Sequence, residues 1–536
     1  MMPARRRFTK RVATSFLLCL PLSLGVVTSA IAQTKGRDVS IGLQAAITSM
    51  DPHYHNLSPN NSMMLHVFEG LIARDENQKL KPALAVSWKA TDDLTWEFKL
   101  RKNVRFHDGS LFSADDVVAT LKRAPNVANS PSSFATFVKP IIDVKVIDAD
   151  TIVFKTATPN VLLPSDLASV MIINKAYEKS TTEEFNSGKA AIGTGPYKFG
   201  EYVPNQRVSL KANYGYWRGE EPWDKITFKM LTNPAARVAA LLSGDVQMIE
   251  TVPTADIAKL SADKKLSLVD KVSNRVIYVH LNQSTEKSPP FVTAKDGKPL
   301  EKNPFRDARV RKALSMAVNR DAIVSRVMEG KAVAAAQLLP DFFYGTSKQL
   351  KPVKFDPEGA KKLLAEAGYP NGFAMTVHGP NNRYINDAGI AQALAQMYTR
   401  VGIDIKVETM PSSVYFTRAT KLEFGYMLLG WGTESGEQGS AMRSLLATFD
   451  TAKGMGVTNR GRYSNPAFDK LLAAALVTMD DKKREAMIIQ AAEMVMGDVG
   501  LIPLHYEVST WAAAKGLKYT ARTDQYTLAM SLKPGN

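Results

Sequence analysis

The sequence predicts an α/β protein built of two lobes, and three observations lead to this prediction. The chain has 536 residues, which is more than one hydrophobic core usually serves. Up to about residue 300, short alternating strands and turns dominate. After that point, helices with one apolar face alternate with strands, a pattern typical of a sheet that is covered by helices.

The segment 1–32 has the features of a secretory signal peptide. A basic segment precedes an apolar stretch at 16–27, and small residues ending at Ala32 follow it, so we expect cleavage after Ala32. Cys19, the only cysteine, lies in this segment. The mature chain therefore contains no thiol, which excludes disulfides, thiolate metal sites and cysteine nucleophiles. This kind of export indicates the bacterial periplasm.

The formal charge of the chain is +16. The signal peptide supplies five basic residues and no acidic residue, so the mature protein carries +11. The basic residues are dispersed and form no block with interleaved aromatic residues, which argues against nucleic acid as a partner. We interpret the excess charge as a solvated basic surface.

The first elements of the mature chain are strands. Residues 37–43 alternate well enough to form one. Trp96, Phe98 and Leu100 then alternate with charged residues, which predicts a strand with one buried face. Two further alternating runs within 141–154 predict a hairpin.

Polar residues follow the second strand in the stretch NVRFHDGSLFSADD, and their spacing suits a structural function. An aspartate-glycine pair predicts a turn. Ser113 predicts a helix N-cap, because Asp116 lies in the first turn that would follow it. Neighbours on a tight turn, such as His107, Asp108 and Ser110, cannot place a nucleophile, a base and an orienting acid in line. We therefore expect no catalytic site here.

The second half of the chain predicts helices that alternate with strands. A glycine-rich turn at 193–197 lacks the lysine of a phosphate-binding loop, so it predicts no nucleotide site. Helices with apolar faces are predicted to begin at Asn303, Asp356 and Asp387. The last of these leads into an alternating strand at 403–407.

These motifs together resemble a known family. The residues that carry the resemblance are, in chain order, Ala85-Val86-Ser87-Trp88, Trp96-x-Phe98-x-Leu100-Arg101, Val104-x-Phe106-His107-Asp108-Gly109, Ser113-Ala114-Asp115-Asp116-Val117, Gly193-Thr194-Gly195-Pro196-Tyr197, Val310-Arg311-Lys312-Ala313-Leu314, Asp356-Pro357-Glu358 and Gly430-Trp431. The series resembles the bacterial extracellular solute-binding proteins, family 5. That family includes dipeptide-, oligopeptide-, glutathione- and nickel-binding components of ABC importers.

The resemblance implies a periplasmic-binding-protein fold of type II, in the large cluster C form that has an extra subdomain. Mixed sheets would be covered by helices, and a ligand cleft would lie between the lobes. The implied parts are lobe I at 33–275 with an inserted subdomain at about 70–190, lobe II at 276–504, and a C-terminal return to lobe I at 505–536. Crossing segments at 276–281 and 501–508 would form a hinge.

The stretch LLGWGTESGEQGS, at 428–440, predicts ligand contacts. A strand at 426–429 is expected to end in a glycine-rich loop, which lets the backbone approach a ligand. Trp431 can cover an apolar group, and Glu434 or Glu437 can pair with an ammonium group. Peptide-binding relatives typically have Gly-Asp-Pro-Asp here, whereas this chain has Gly-Glu-Gln-Gly, which resembles the glutathione-binding branch.

A second polar stretch, HGPNNRYIND at 378–387, predicts contacts with the other end of a ligand. Arg383 can bind a carboxylate through two parallel hydrogen bonds. Tyr384 can stack on the ligand or donate a hydrogen bond to it. The alternative for Arg383 is a surface or inter-lobe salt bridge.

The rim of lobe I supplies the last candidates. Met50, His53 and Tyr54 lie in the part of the sequence richest in histidine, and His55 follows them. Two histidines on an irregular loop can bind a metal complex. The sequence offers no cysteine and no spaced third ligand, so we expect no metal site.

We therefore expect a periplasmic receptor that captures a peptide or peptide-like zwitterion. It would deliver this solute to an ABC permease with its ATPase subunits, as a monomer and without a cofactor. A receptor for a metal complex, haem or an opine-like conjugate is the alternative within the class. An exported hydrolase is the alternative outside it. The sequence lacks Gly-x-Ser-x-Gly and His-Glu-x-x-His, so we predict no enzyme activity.

Overall fold

The computed structural model of the protein describes residues 37–535, and the predicted signal peptide lies outside them. The strands of this range are β1 (Asp38–Leu43), β2 (Ile72–Arg74), β3 (Leu80–Pro82), β4 (Ala85–Asp92), β5 (Thr95–Leu100), β6 (Ile141–Asp148), β7 (Thr151–Thr156), β8 (Tyr197–Val203), β9 (Arg207–Ala212), β10 (Lys225–Met230), β11 (Met248–Ile249), β12 (Leu266–Leu281), β13 (Val292–Thr293), β14 (Ala332–Ala334), β15 (Ala374–Pro380), β16 (Asp404–Met410), β17 (Tyr426–Gly432), β18 (Ile502–Ala514), β19 (Leu517–Tyr519) and β20 (Leu532–Pro534).

The α-helices of the same range are α1 (Ser58–Val67), α2 (Ala114–Arg123), α3 (Ala135–Val138), α4 (Leu163–Leu167), α5 (Thr182–Asn186), α6 (Pro234–Leu242), α7 (Thr254–Ala262), α8 (Ala308–Met316), α9 (Arg320–Ala322), α10 (Pro357–Glu366), α11 (Asp387–Thr399), α12 (Ser412–Thr420), α13 (Gln438–Leu445), α14 (Pro466–Leu476) and α15 (Asp481–Gly497). Among these described helices, none combines the length and the apolar character that a membrane crossing requires.

One sheet of twelve strands organises the molecule, in the order β13-β15-β17-β12-β18-β11-β1-β10-β9-β8, with β14 paired to β18 and β16 paired to β15. We call the part built on β1 and β8 to β11 lobe I, and the part built on β13 to β17 lobe II. The long strands β12 and β18 lie between them and pair with each other. The two crossing segments that the sequence predicts are thus neighbouring strands of one sheet.

The pairing of β12 with β18 shifts register at two points, and the larger interruption lies between Val272 and Val276. Val272 pairs with Val508 and Val276 pairs with Tyr506, so three residues of β12 oppose the single residue Glu507. Such a bulge leaves residues unpaired and redirects their side chains. Here it turns Asn274 toward the loop that follows β17, where its Nδ2 donates to the carbonyl oxygen of Thr433 at 3.0 Å.

Lobe II has a hydrophobic core on each face of its sheet. Ile277, Val279 and Leu281 of β12 pack into one core, whereas Val276 and Tyr278 pack into the other. This alternation is the period of two that a strand buried on both faces requires. Helices α8, α10 and α11 cover the first core, and α12 to α15 cover the second. The predicted sheet covered by helices is therefore confirmed.

A separate sheet, in the order β4-β5-β7-β6, forms the extra subdomain. Phe98 is fully buried and meets Phe154 with ring centroids 5.1 Å apart. In the predicted hairpin, Val144 pairs with Phe154. At the start of α2, the Asp116 carboxylate accepts hydrogen bonds from the backbone N–H and the hydroxyl of Ser113, at 2.8 and 3.0 Å. The strand, the hairpin and the capped helix are confirmed here.

Two predicted boundaries were wrong. The helix expected from Asn303 begins at Ala308, because Pro304–Arg306 forms a separate 3-10 turn. Asp307 caps the helix by accepting the N–H of Arg309 at 2.8 Å. The strand expected to end at 429 continues through Gly432, because its last three residues pair with β12. Gly430 and Trp431 are therefore strand residues.

Candidate functional site

The loops that follow β15 and β17 lie at the same edge of the sheet, because these two strands are parallel neighbours. Ligand sites of α/β sheets typically form at the carboxyl ends of such strands. We call residues 433–437 the seam loop and residues 381–386 the β15 loop. Together they contain Arg383, Tyr384, Glu434 and Glu437, and Trp431 lies just before the seam loop.

The seam loop belongs to lobe II but contacts lobe I. The side-chain amide of Gln78 donates to the carbonyl oxygens of Thr433 and Glu434, at 3.2 and 3.0 Å. The hydroxyl of Ser165 also reaches the carbonyl oxygen of Ser435 at 3.4 Å. The seam loop thus closes one end of the boundary between the lobes.

Glu434 is half-buried at this boundary. The hydroxyl of Tyr526, from the C-terminal return, donates to its Oε1 at 3.2 Å. Burial raises the pKa of the Glu434 carboxyl, and the positive charge of Arg74 acts in the opposite direction. A carboxyl group in this environment gains most from a cationic partner, which would lower its pKa again.

Glu437 already has a cationic partner within lobe II. Arg484 donates from Nη1 to its Oε2 at 2.7 Å, and both side chains are about nine-tenths buried. The Arg484 guanidinium also lies 4.5 Å from the centre of the Tyr344 ring. Burial raises the pKa of the Glu437 carboxyl, and the charge of Arg484 opposes this shift. The arrangement fixes the loop and neutralises Glu437.

Four polar atoms around the seam loop are buried without a hydrogen-bond partner among residues 37–535. They are Arg74 Nη1, Thr433 Oγ1, Ser435 Oγ and Glu437 Oε1. Buried polar groups of folded proteins nearly always have a hydrogen-bond partner. A group of unpaired atoms of this kind indicates a binding site in which a polar ligand supplies the missing hydrogen bonds.

Asp166 adds a titratable group to the same boundary. Burial raises the pKa of its carboxyl to about 7, with the charges of Arg443 and Arg74 opposing the shift and that of Glu437 favouring it. Strongly shifted carboxyl groups concentrate at functional sites. The seam therefore contains two carboxyl groups without a strong cationic partner, Asp166 and Glu434.

Arg383 lies in the β15 loop and is exposed. Its backbone N–H donates to Asp387 at 2.8 Å, whereas its guanidinium makes no hydrogen bond or salt bridge to the residues that the structure describes. The guanidinium carbon lies 5.5 Å from the centre of the Tyr384 ring. Partial burial, and then the charge of Arg275, lower its pKa. This cation is available to an anionic group of a ligand.

Tyr384 is buried and bonded to the end of β17. Its hydroxyl donates to the carbonyl oxygen of Gly430 at 3.2 Å. A Cβ atom at Gly430 would lie 2.7 Å from Cε1 of this ring. The glycine expected to admit a ligand thus makes room for Tyr384.

Arg275 and Glu507 together link the two loops, because Glu507 accepts the backbone N–H of Ile385 in the β15 loop at 3.2 Å. Arg275 pairs with Gly432 in the sheet, and its Nε donates to Gln525 at 2.9 Å and lies 3.4 Å from a carboxylate oxygen of Glu507. Gln525 precedes Tyr526, the partner of Glu434. Trp431 is half-buried and packs against the second of the two lobe II cores. Arg383 and Glu434 therefore occupy opposite ends of one polar strip.

The rim residues of lobe I lie apart from both loops. Met50 is fully buried in the lobe I core. His53 is fully buried, and its Nδ1 accepts from Arg123 at 3.1 Å while its Nε2 donates to the carbonyl oxygen of Met171 at 2.8 Å. Burial lowers the pKa of His53 to about 4. Tyr54 is half-buried and accepts at its carbonyl oxygen from Ser130. The structure does not bring these three residues to the seam.

Several residues of the seam had no signal in the sequence. Arg74, Gln78, Asp166 and Tyr526 come from distant parts of the chain and from unremarkable local patterns. Only the position of Arg74 is unusual by itself, because it lies two residues after the buried Ile72, on the same face of strand β2. Within residues 37–535, there is no cluster of three or more histidine, cysteine, aspartate or glutamate side chains arranged to hold a metal ion.

Two lobes joined by a pair of crossing strands, with unsatisfied polar groups at their boundary, define a protein that encloses a small molecule. The family described as bacterial extracellular solute-binding proteins, family 5, middle, matches residues 79–453. The chain belongs to this family, and its class is that of a solute-binding protein.

Individual relatives agree with this assignment. The glutathione-binding protein GsiB of Shigella dysenteriae is 30% identical over 513 residues, which cover 92% of this chain and 94% of that protein. DppA of Helicobacter pylori, an ABC transporter-associated periplasmic binding protein in complex with the peptide STSA, is 23% identical with a TM-score of 0.77, covering 93% of this chain and 98% of its own. NikZ of Campylobacter jejuni, in complex with Ni(L-His), is 23% identical with a TM-score of 0.76. The match covers 93% of this chain and 99% of the NikZ chain. The predicted two-lobed fold is confirmed.

Proposed function

We propose that this protein is the periplasmic receptor of an ABC importer and that it captures a peptide or peptide-like zwitterion. The observation that carries the proposal is the separation of charge along the polar strip. At one end, Arg383 offers a guanidinium without a partner among the described residues, and at the other end Glu434 and Asp166 offer half-buried carboxyl groups without a salt-bridge partner there. A molecule with an ammonium and a carboxylate group complements both ends.

Each side chain has a separate role in this proposal. Arg383 binds the carboxylate of the solute. Glu434 binds the ammonium group. Arg484 neutralises the charge of Glu437 through Oε2, so Glu437 contributes only its unpaired Oε1 as a hydrogen-bond acceptor. Trp431 covers the middle of the ligand with its indole ring. The names of two relatives, a glutathione-binding protein and a protein in complex with a peptide, support a ligand of this class.

No chemistry is performed on the ligand. Binding energy shifts the population of lobe arrangements toward a closed form, because only that form contacts the ligand from both sides. The permease, with its ATPase subunits, then recognises the closed form. The protein acts as a monomer in the periplasm and needs no cofactor. An assay of turnover on peptides and esters tests the claim that the protein performs no chemistry. A hydrolysis rate that a single substitution abolishes would contradict this claim.

The decisive experiment identifies the ligand and then tests Arg383. Mass spectrometry of the purified protein identifies the co-purified solute, and calorimetry with that solute measures its affinity. Arg383→Ala should weaken binding by about 1.5–3 kcal/mol, the value of a hydrogen bond to a charged group. Arg400→Ala, which removes an exposed arginine at the end of α11, serves as the control and should bind normally. Equal affinity of all three proteins would remove Arg383 from the site.

A further inference from the structure

We infer that lobe I contains a side pocket for an apolar arm of the solute and that the arm enters it past Arg74 and Glu434. The inference rests on the proposed function and specifies the solute further. It describes a peptide-like molecule with an aromatic or branched aliphatic group.

The pocket is a cavity of about 220 Å³ inside lobe I. Most of its wall is apolar, and the apolar lining includes Met64, Phe68, Ile72, Met171, Leu528 and Met530. An apolar cavity of about 150 Å³ stays dry and accepts benzene. A cavity of this size therefore has room for a phenyl ring or a leucine-like group.

One end of the cavity is polar and coincides with the seam. Arg74, Tyr526 and Glu434 form this end. Arg74 donates from Nη2 to the carbonyl oxygen and hydroxyl of Ser165, at 2.6 and 3.1 Å, but its Nη1 is buried and has no acceptor among the described residues. A backbone carbonyl oxygen of a bound peptide, lying at this end, would supply that acceptor.

Glu434 connects the pocket to the movement of the lobes. It is the only residue of lobe II among those that line the cavity in the described part of the chain. The seam loop therefore covers the polar end of the pocket when Gln78 holds it against lobe I. Separation of the lobes would uncover this end, which gives the apolar arm a way in.

Two substitutions change the pocket in opposite directions. Ala168 lines the cavity and is buried, so Ala168→Leu fills part of it. Met64 is also buried in its wall, so Met64→Ala enlarges it. Ala262→Leu, at the exposed end of α7, adds the same side chain outside the pocket and serves as the control. Circular dichroism establishes that each variant is folded.

The test uses a pronase digest of casein as the probe. Each protein is unfolded, freed of bound solute, refolded and incubated with the digest, and the peptides it retains are identified by mass spectrometry. The wild type and Ala262→Leu should retain peptides enriched several-fold in phenylalanine, tyrosine and leucine over the digest. Ala168→Leu should retain peptides without this enrichment, and Met64→Ala should shift it toward tryptophan.

The results of this experiment distinguish a failure of the pocket inference from a failure of the proposed function. Peptides of the same side-chain composition on the wild type and Met64→Ala, without apolar enrichment, would overturn the pocket and leave the proposed function standing. Retention of no peptide by the wild type would overturn the proposed function and the pocket with it. If Ala168→Leu does not fold, the comparison of the wild type with Met64→Ala decides alone.

Discussion

The seam loop and the β15 loop follow neighbouring parallel strands, yet their charged side chains are in opposite states. In the seam loop, Glu437 is paired with the buried guanidinium of Arg484. In the β15 loop, the guanidinium of Arg383 has no partner within the described chain. Glu437 is therefore held by the protein itself, whereas the β15 loop presents a charge that is available to a ligand.

The difference shows that a charged residue near a cleft has two distinct uses. A charge with a buried partner fixes the shape of the site, and a charge without one recognises a guest. Sequence position does not distinguish them, since Glu434 and Glu437 lie three residues apart in one loop. The two uses are distinguished by how deeply the side chain is buried and by its distance to the nearest oppositely charged group. Substitutions should therefore affect stability in the first case and affinity in the second.

The largest effect should come from Glu437→Ala. It leaves Arg484 about nine-tenths buried with only the exposed Asp481 as a partner, and removing one member of a buried pair costs about 3 kcal/mol or more. Urea denaturation of the ligand-free protein measures the loss. The control is Glu358→Ala, which breaks an exposed pair with Lys361 and should cost less than about 1 kcal/mol. Similar losses for both variants would contradict a structural role for Glu437.

A smaller effect should follow from Gly430→Ala, which links the two loops. The new methyl group would lie 2.7 Å from the Tyr384 ring, so the ring must move, at a cost of about 1–3 kcal/mol. Thermal unfolding should show the loss. Gly497→Ala, at a position with open space around it, should unfold at nearly the wild-type temperature. If both variants behave alike, Tyr384 does not pack against β17 as described.

A further prediction concerns the pH dependence of stability. The folded-state pKa of Asp166 is raised to about 7, so its neutral form stabilises the folded protein at acid pH, and this contribution is lost as the pH rises toward 7. The side chain of Asp166→Asn cannot ionise, so this variant should lose the part of the pH dependence of stability that comes from Asp166. Melting temperatures measured between about pH 5 and pH 8 should therefore depend on pH with a different slope in this variant and in the wild type. Asp93→Asn, an exposed control, should keep the wild-type slope, and a parallel profile for Asp166→Asn would contradict the burial of a neutral carboxyl.

Local pattern was enough to predict the elements that position the site. The alternation of Trp96, Phe98 and Leu100 follows the pleat of β5, and the Ser113 cap depends only on a carboxylate three residues away. Such features are set by residues close in sequence. The same is true of Asp356, which caps α10 by accepting the N–H of Gly359 at 2.8 Å.

The partners across the seam could not be predicted in the same way. Arg74 and Glu434 meet only because two lobes close on each other, and nothing in either neighbourhood encodes the distance between them. The choice between the two glutamates of the seam loop depends on Arg484, which lies 47 positions beyond Glu437. The role of Gly430 likewise depends on the position of Tyr384, a residue of another strand's loop.

The bulge that opposes three residues of β12 to one residue of β18 has a mechanical consequence. Two strands bonded side by side form a ribbon, which resists sliding along its length because every ladder bond would break at once. A ribbon of this kind yields most readily by twisting where its ladder is already interrupted. The lobes should therefore turn about the stretch from Val272 to Val276, and Asn274, which is bonded to the seam loop from this stretch, would transmit the turn directly to Glu434.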